Sequence, residues 1–183
     1  MSKRVLIGLA GLALVAAAAA GLIAARDAAP PIAGTVVNFT PAETPRPVPE
    51  TGFTDLAGAA RTLAHFRGRV VALNFWATWC GPCIREMPSL DRLQAALGGD
   101  GFTVVLMSQD RRGAEQVEPF LAKLDIGLTS QLDPKMALFR ALGGRSLPTT
   151  ILFDADGNEL GRLVGPAEWD RPEALALIRY YLE

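Results

Sequence analysis

The chain has 183 residues, half of them apolar, and a formal net charge of −1 at pH 7. That length holds one ordinary domain plus an appendage, and the apolar share can supply a sizeable core. Residues 1–26 carry Lys3, Arg4 and Arg26 and no acid, so the remainder is mildly acidic; without a basic face or a nucleic-acid motif, the composition argues against a nucleic-acid binder. With two cysteines and one histidine, it also argues against structural zinc, which wants four ligands.

Lys3 and Arg4 precede an uncharged apolar run from Val5 to Ala25. As a helix, those residues span about 31 Å, close to a bilayer core. The basic residues precede the run, so the N-terminus is expected to stay cytoplasmic and the rest to be exported. The rival reading is a cleaved signal peptide. The block Ala16–Ala20 offers A-x-A sites, but the run is longer than the usual signal core, which favours an anchor. No cysteine follows the run directly, which excludes a lipoprotein anchor. Either way the domain reaches an oxidising compartment. An exposed thiol pair there needs a dedicated reductant, or else acts as an oxidant.

Residues 27–50 contain Pro30, Pro31, Pro41, Pro45, Pro47 and Pro49. That density forbids regular helix and central strand, so 27–50 is expected to be an extended linker. The domain is expected over 51–183. Phe53–Asp55 with the turn at Gly58 predicts a short edge hairpin, and Thr62 caps a single helical turn through Phe66. Val70–Phe75 is a buried strand with Ala72, Leu73 and Phe75 at the centre. A helix from about Pro82 to Leu97 places Ile84, Met87, Leu90, Leu93 and Leu97 on one face, and Gly98–Gly99 stops it. Pro88 is expected to kink it. Phe102–Met107 is a continuously apolar strand buried on both faces. Ala114–Leu124 is helical; 126–132 is a loop or short strand. Asp133 and Pro134 open a further helix as cap and first residue, ended by Gly143–Gly144. Ile151–Phe153, the turn 154–158 and Glu159–Val164 form a hairpin. Pro172–Leu182 is the closing helix. Strands alternating with helices, then a hairpin, predict an α/β fold: a mixed central sheet with helices on both faces.

The chemistry concentrates at Trp79-Cys80-Gly81-Pro82-Cys83, where the central strand passes into the first long helix. Cys80 stands at the helix N-terminus, where unpaired N–H groups and the dipole favour a thiolate. Cys83 lies one turn further in, less exposed and close enough to close a disulfide. Gly81 permits the tight turn, and Pro82 suits the first helical turn, where a missing N–H costs nothing. A purely structural bridge over so short a loop removes little unfolded-state entropy, which favours redox chemistry. Glu86 shares a helix face with Cys83 at i,i+3. Partly desolvated, it would have a raised pKa and could relay a proton; otherwise it is a solvent-facing acid that the helix dipole favours. Trp76 is expected in the core, Trp79 on the flat surface around Cys80, and Trp169 in a structural place. His65 takes no role.

The run FWATWCGPC followed by IREMP resembles the thioredoxin superfamily and, within it, the membrane-anchored TlpA/ResA/CcmG-like thiol:disulfide oxidoreductases of bacteria. The resemblance covers about Gly52 to Glu183. The lack of a Gly-Val-Pro-Glu-Thr signature sets the chain nearer TlpA than CcmG. The resemblance implies a thioredoxin-like fold with an extra strand–helix insertion before Pro148, behind one N-terminal transmembrane helix. It implies Cys80 as nucleophile, Cys83 as resolving thiol, a redox disulfide Cys80–Cys83, and Glu86 as the proton relay at the C-x-x-C-x-x-E spacing. Asn74 occupies the strand position where thioredoxins carry a titrating Asp, and it cannot titrate. Pro148 is expected cis, with Leu147 presenting its backbone to a substrate strand; Trp79, Gly81 and Pro82 complete the docking surface. No cofactor or metal is implied. The Gly-Pro between the cysteines resembles that of reducing members.

The implied activity is reduction of protein disulfides in cytochrome c maturation or cytochrome oxidase (copper or haem) assembly. The expected location is the periplasmic face of the inner membrane, with a DsbD/CcdA-type membrane thiol transporter as electron donor. Two other classes compete. A copper chaperone of the Sco kind uses a longer Cys spacing and a far-downstream His, which this chain lacks. A peroxiredoxin-like peroxidase keeps its nucleophile in a different local motif.

Overall fold

The computed structural model describes residues 29–183. The expected membrane segment, Val5 to Ala25, lies outside the described residues; among those described, no helix is long and apolar enough to cross a membrane. The domain occupies Pro31–Glu183.

Eight strands form one mixed sheet: β1 (Phe39–Pro41), β2 (Phe53–Asp55), β3 (Ala60–Arg61), β4 (Val70–Trp76), β5 (Phe102–Ser108), β6 (Ser130–Leu132), β7 (Thr149–Phe153) and β8 (Glu159–Val164). Their order is β1-β8-β7-β4-β5-β6-β2-β3. β5 runs parallel to β4 and β6, and the other pairs are antiparallel. The helices are α1 (Gly81–Leu97), α2 (Ala114–Leu124), α3 (Ala137–Ala141) and α4 (Pro172–Leu182). Strand alternation sorts the core into two layers. Val70, Ala72 and Trp76 of β4 face a cluster holding Met87, Leu90 and Leu93 of α1 and Leu177 and Ile178 of α4. Val71, Leu73 and Phe75 face the other way, onto Leu63, Leu138 and Phe139. Helical elements thus cover both faces, as expected.

Register brings the functional ends together. Trp76 pairs with Ser108 of β5, and Phe75 pairs with Thr149 of β7. The end of β4, the loop after β5 and the loop before β7 therefore open at one end of the sheet. Cys80 follows β4 by four residues and caps α1.

The expected linker over 27–50 is corrected from Pro31 onward. Val36 and Phe39 are buried, β1 pairs with β8, and Pro47 bridges Asn158. Val48 N–H donates to the Gly157 carbonyl and Glu159 N–H to that of Arg46, each at 2.9 Å. Approach is so close that a Cβ on Gly161 would lie 2.6 Å from the Thr40 carbonyl oxygen. Proline density does exclude a central strand, but β1 is an edge strand, and there a missing N–H is tolerated.

Two smaller corrections concern helix starts. Thr62 precedes a 3₁₀ turn, Leu63–Phe66, without a side-chain capping bond. The helix expected to open at Asp133 begins only at Ala137, because Met136 takes a left-handed φ of 55°. Asp133 still serves that helix from a turn upstream: its carboxylate accepts the N–H groups of Ala137 at 2.7 Å and Phe139 at 3.0 Å. The remaining elements fall within a residue or two of their expected bounds.

Candidate active site

Cys80 and Cys83 are joined in a disulfide, with Cα atoms 5.3 Å apart. The Cys83 N–H donates to Cys80 Sγ at 3.3 Å, and the Ile84 N–H donates to the Cys80 carbonyl at 3.1 Å. The helix mouth thus directs a donor at the outer sulfur, the geometry that favours a thiolate there once the bridge opens. Cys83 is fully buried, Cys80 nearly so. Gly81 and Pro82, both partly exposed, form the first turn as expected. Trp79 is 67% exposed, and Trp76 is in the core, its indole N–H on Ser130 Oγ at 3.1 Å.

The Leu147–Pro148 peptide is cis. The Pro148 carbonyl accepts the Gly165 N–H at 3.0 Å, which ties this loop to the end of β8. Leu147 is half-buried and packs against the cluster that contains both cysteines. Its loop opens at the same end of the sheet as Cys80, the end that also carries Trp79, Gly81 and Pro82.

Glu86 is buried, not solvent-facing. Its Oε1 accepts Asn74 Nδ2 at 2.7 Å and its Oε2 accepts the Ala167 N–H at 3.0 Å. The Ala167 loop is held there from α1 itself. Ser89 Oγ donates to the Glu86 carbonyl and accepts the Trp169 N–H, and Arg92 pairs with Asp170 at 2.6 Å. The buried indole N–H of Trp169 also bears on the carboxylate, at longer range than a hydrogen bond. Burial pushes the Glu86 pKa up to about 7 against the opposing pull of the Asn74 and Ala167 donors. A carboxyl with a pKa near neutral, one helical turn from Cys83, has the affinity a proton relay needs. A cleft of about 240 Å³, lined by Thr35, Pro82, Arg85, Glu86, Pro166, Ala167 and Glu168, leads from it to the surface.

Three participants escaped the sequence reading. Asn74, set aside because it cannot titrate, is the side chain that holds Glu86; its Nδ2 also donates to Thr150 Oγ1 at 2.9 Å. Asp110, buried after β5, pins the approach to Cys80: it accepts from Thr78 N at 2.9 Å, Thr78 Oγ1 at 2.7 Å, Ser108 Oγ at 2.8 Å and Gln116 Nε2 at 2.8 Å. Only the acid closing an apolar strand signalled Asp110 in the sequence; nothing signalled Thr150.

The comparisons agree with this geometry. The Redoxin family profile matches residues 34–178. The thiol-disulfide oxidoreductase ResA of Bacillus thuringiensis is 32% identical over 112 residues, 61% of this chain and 64% of that protein; the chain thus spans just under two thirds of the curated relatives it first matches. Among solved structures, a protein of Chlorobium tepidum assigned as the thiol:disulfide interchange protein DsbE superposes with a TM-score of 0.69 at 30% identity, over 77% of this chain and 99% of that one. A secreted thiol-disulfide isomerase of Corynebacterium glutamicum follows at 0.64 and 26%, over 77% and 90%. With its family profile reaching from the turn before β1 into α4, the chain belongs to the Redoxin family, on a thioredoxin-like fold.

Proposed function

We propose that the protein is a thiol:disulfide oxidoreductase that reduces disulfides of protein substrates. The observation that carries this reading is the buried Glu86 carboxyl set behind a Cys-x-x-Cys bridge at a helix mouth. Reduced Cys80 attacks a client disulfide as thiolate; its sulfur bonds to one client sulfur and the other leaves as thiolate. The Cys83 sulfur then attacks Cys80 as its proton passes to Glu86. The mixed disulfide breaks, the second client thiolate leaves, and the Cys80–Cys83 bridge closes. The client gains two electrons and the protein loses two. Glu86 returns its proton to water through the adjoining cleft.

Docking follows from the outer side. Trp79 offers an apolar plate, and the backbone of Leu147 at the cis-proline pairs with an extended client strand, a β-augmentation contact. The likeness to ResA and DsbE supports clients in cytochrome c maturation or cytochrome oxidase assembly. The basic, then apolar, N-terminal segment supports a single-pass anchor in the inner membrane with the domain in the periplasm. A thiol pair kept there as a reductant needs electrons from within, supplied by a membrane thiol transporter of the DsbD/CcdA type.

The test is a trap and a potential. A Cys83→Ser variant expressed in the native host is expected to accumulate mixed disulfides with client proteins through Cys80. The wild-type pair is expected to equilibrate near the roughly −270 mV of thioredoxin. No trapped client, or a potential near the roughly −120 mV of a strong oxidant, would overturn the reductase assignment.

A further inference from the structure

Every group held against Glu86 is a donor. Ala167 N–H points at Oε2, Asn74 Nδ2 points at Oε1, and the Trp169 indole N–H is buried without a partner of its own. That arrangement suits a carboxylate. It does not suit the carboxylic acid through which a relay must pass, because the acid's O–H needs an acceptor. The Ala167 N–H is fixed by its peptide plane and cannot turn away, so an arriving proton settles on Oε1. There it meets the Asn74 N–H head-on.

Asn74 itself holds the missing acceptor. Its Oδ1 is buried with no hydrogen-bond partner, while its Nδ2 serves both Glu86 Oε1 and Thr150 Oγ1. A side-chain amide is nearly two-fold in shape, with a broad terminal torsion. A half-turn places Oδ1 where Nδ2 stood. The Thr150 hydroxyl can accept or donate, so both hydrogen bonds re-form after the turn with their directions reversed, and the unpartnered position passes from Oδ1 to the amide N–H groups.

We propose that the Asn74 side-chain amide is a two-position switch: it donates to ionised Glu86, and it turns by half to accept from protonated Glu86, with the Thr150 hydroxyl as its partner in both positions. This rests on Glu86 being the relay. Asn74 and Thr150 are then positioning residues. The proton leaves the Cys83 sulfur and bonds to Oε1, and the turn itself transfers no electron. An ionised aspartate in place of Asn74 could accept from the acid but not donate to the carboxylate, whereas the amide does both without taking up a proton of its own.

The titratable groups bearing on Glu86 are Cys83 on its own helix, Arg85 and Glu168 at the cleft, and Cys80 beyond; Asn74, Thr150, Ala167 and Trp169 carry no charge. Working with the disulfide closed removes both thiols from the titration. In the full-length oxidised chain, isotope-labelled for NMR, the Glu86 carboxyl carbon reports the proton and the two Asn74 Nδ2 protons report the amide. Both amide protons are expected to lose their hydrogen-bonded shifts and exchange protection as pH falls, with the midpoint of the Glu86 carbon. If only the Glu86-bound proton moves and the Thr150-bound one stays, the amide is fixed and the switch is overturned while the relay stands. A Glu86 carbon that does not titrate near neutrality overturns both. Kinetically, Thr150→Val is expected to slow the Cys83-dependent step about tenfold near neutral pH and Thr150→Ser to restore it; a Thr150→Val rate equal to wild type would also overturn the switch.

Discussion

The disulfide lies between two unlike sides. Outward are Trp79, Gly81, Pro82 and the cis Leu147–Pro148 loop, supplied by chain turns at one end of the sheet. Inward are Cys83, Glu86, Asn74 and Thr150, all buried, the last three joined by hydrogen bonds between separate elements. The outer side has an exposed aromatic ring beside a loop that Asp110 pins through Thr78; the inner side has a carboxyl whose proton affinity is raised by burial. The contrast separates two tasks. Client binding needs accessible surface, and proton handling needs a place from which water is largely excluded.

The sharpest break of this division is at the sulfurs. Cys83→Ser is expected to abolish turnover, because the mixed disulfide on Cys80 then has no internal resolving thiol, while leaving client capture intact. Cys80→Ser is expected to abolish both. Turnover and trapping assays on the two variants therefore separate inner from outer function; a Cys83→Ser variant that still cycles would erase the distinction.

Next comes Glu86→Gln. General-base assistance typically contributes 10²–10⁴-fold, so the resolving step is expected to slow by about 10²-fold. The wild-type rate is expected to fall as pH drops below about 7, where the Glu86 carboxylate is lost, and the variant is expected to lose that limb. Stability carries the same signature. The Glu86 pKa rises from 4.5 to about 7 in the fold, so between those values the native state holds a proton that the unfolded chain has released. Stability therefore declines as pH rises through this window, by roughly 3 kcal/mol in full. Denaturant midpoints against pH are expected to show that decline in the wild type and a flatter curve in Glu86→Gln.

How much of this the sequence disclosed follows from the same two sides. Cys80, Gly81, Pro82, Cys83 and Glu86 lie within seven consecutive residues, and the cap and first two turns of one helix fix their relation, so spacing alone places them. The strands of the centre were legible because β4 and β5 are buried on both faces and read as apolar runs. The inner contacts were not legible: Asn74 meets Thr150 across 76 residues, and Ala167 meets Glu86 across 81. Only the register of β4 against β7 and the loop stapled by Ser89 and Arg92 bring them together. Residues 31–50 failed for another reason. Proline content reports which backbone donors are missing, not whether an edge position needs them.

Asp110 supplies a smaller effect, on the outer approach. Its carboxylate is the common acceptor for Thr78, Ser108 and Gln116. Asp110→Ala leaves the Thr78 N–H and neighbouring donors short of partners at a buried site, which is expected to cost on the order of 3 kcal/mol of stability. Thermal unfolding checks this. Because Thr78 stands two residues before Cys80, client capture by Cys80 is expected to weaken, while the pH limb of Glu86 keeps its midpoint.

The smallest expected effect is the most selective. Trp79 is two-thirds exposed, so Trp79→Ala removes little that the fold depends on, and the unfolding free energy is expected to stay within the range of ordinary surface substitutions, about ±0.5 kcal/mol. A ring presented to a client loses binding area instead, on the scale of 1–2 kcal/mol for an aromatic anchor, or roughly five- to thirtyfold in KM. The step after capture does not involve the ring, so the single-turnover closure of the Cys80–Cys83 bridge and its dependence on pH are expected to match wild type. A Trp79→Ala variant that instead lost the pH limb and kept its KM would place proton handling on the outer side, and the division between the two sides of the disulfide would fail.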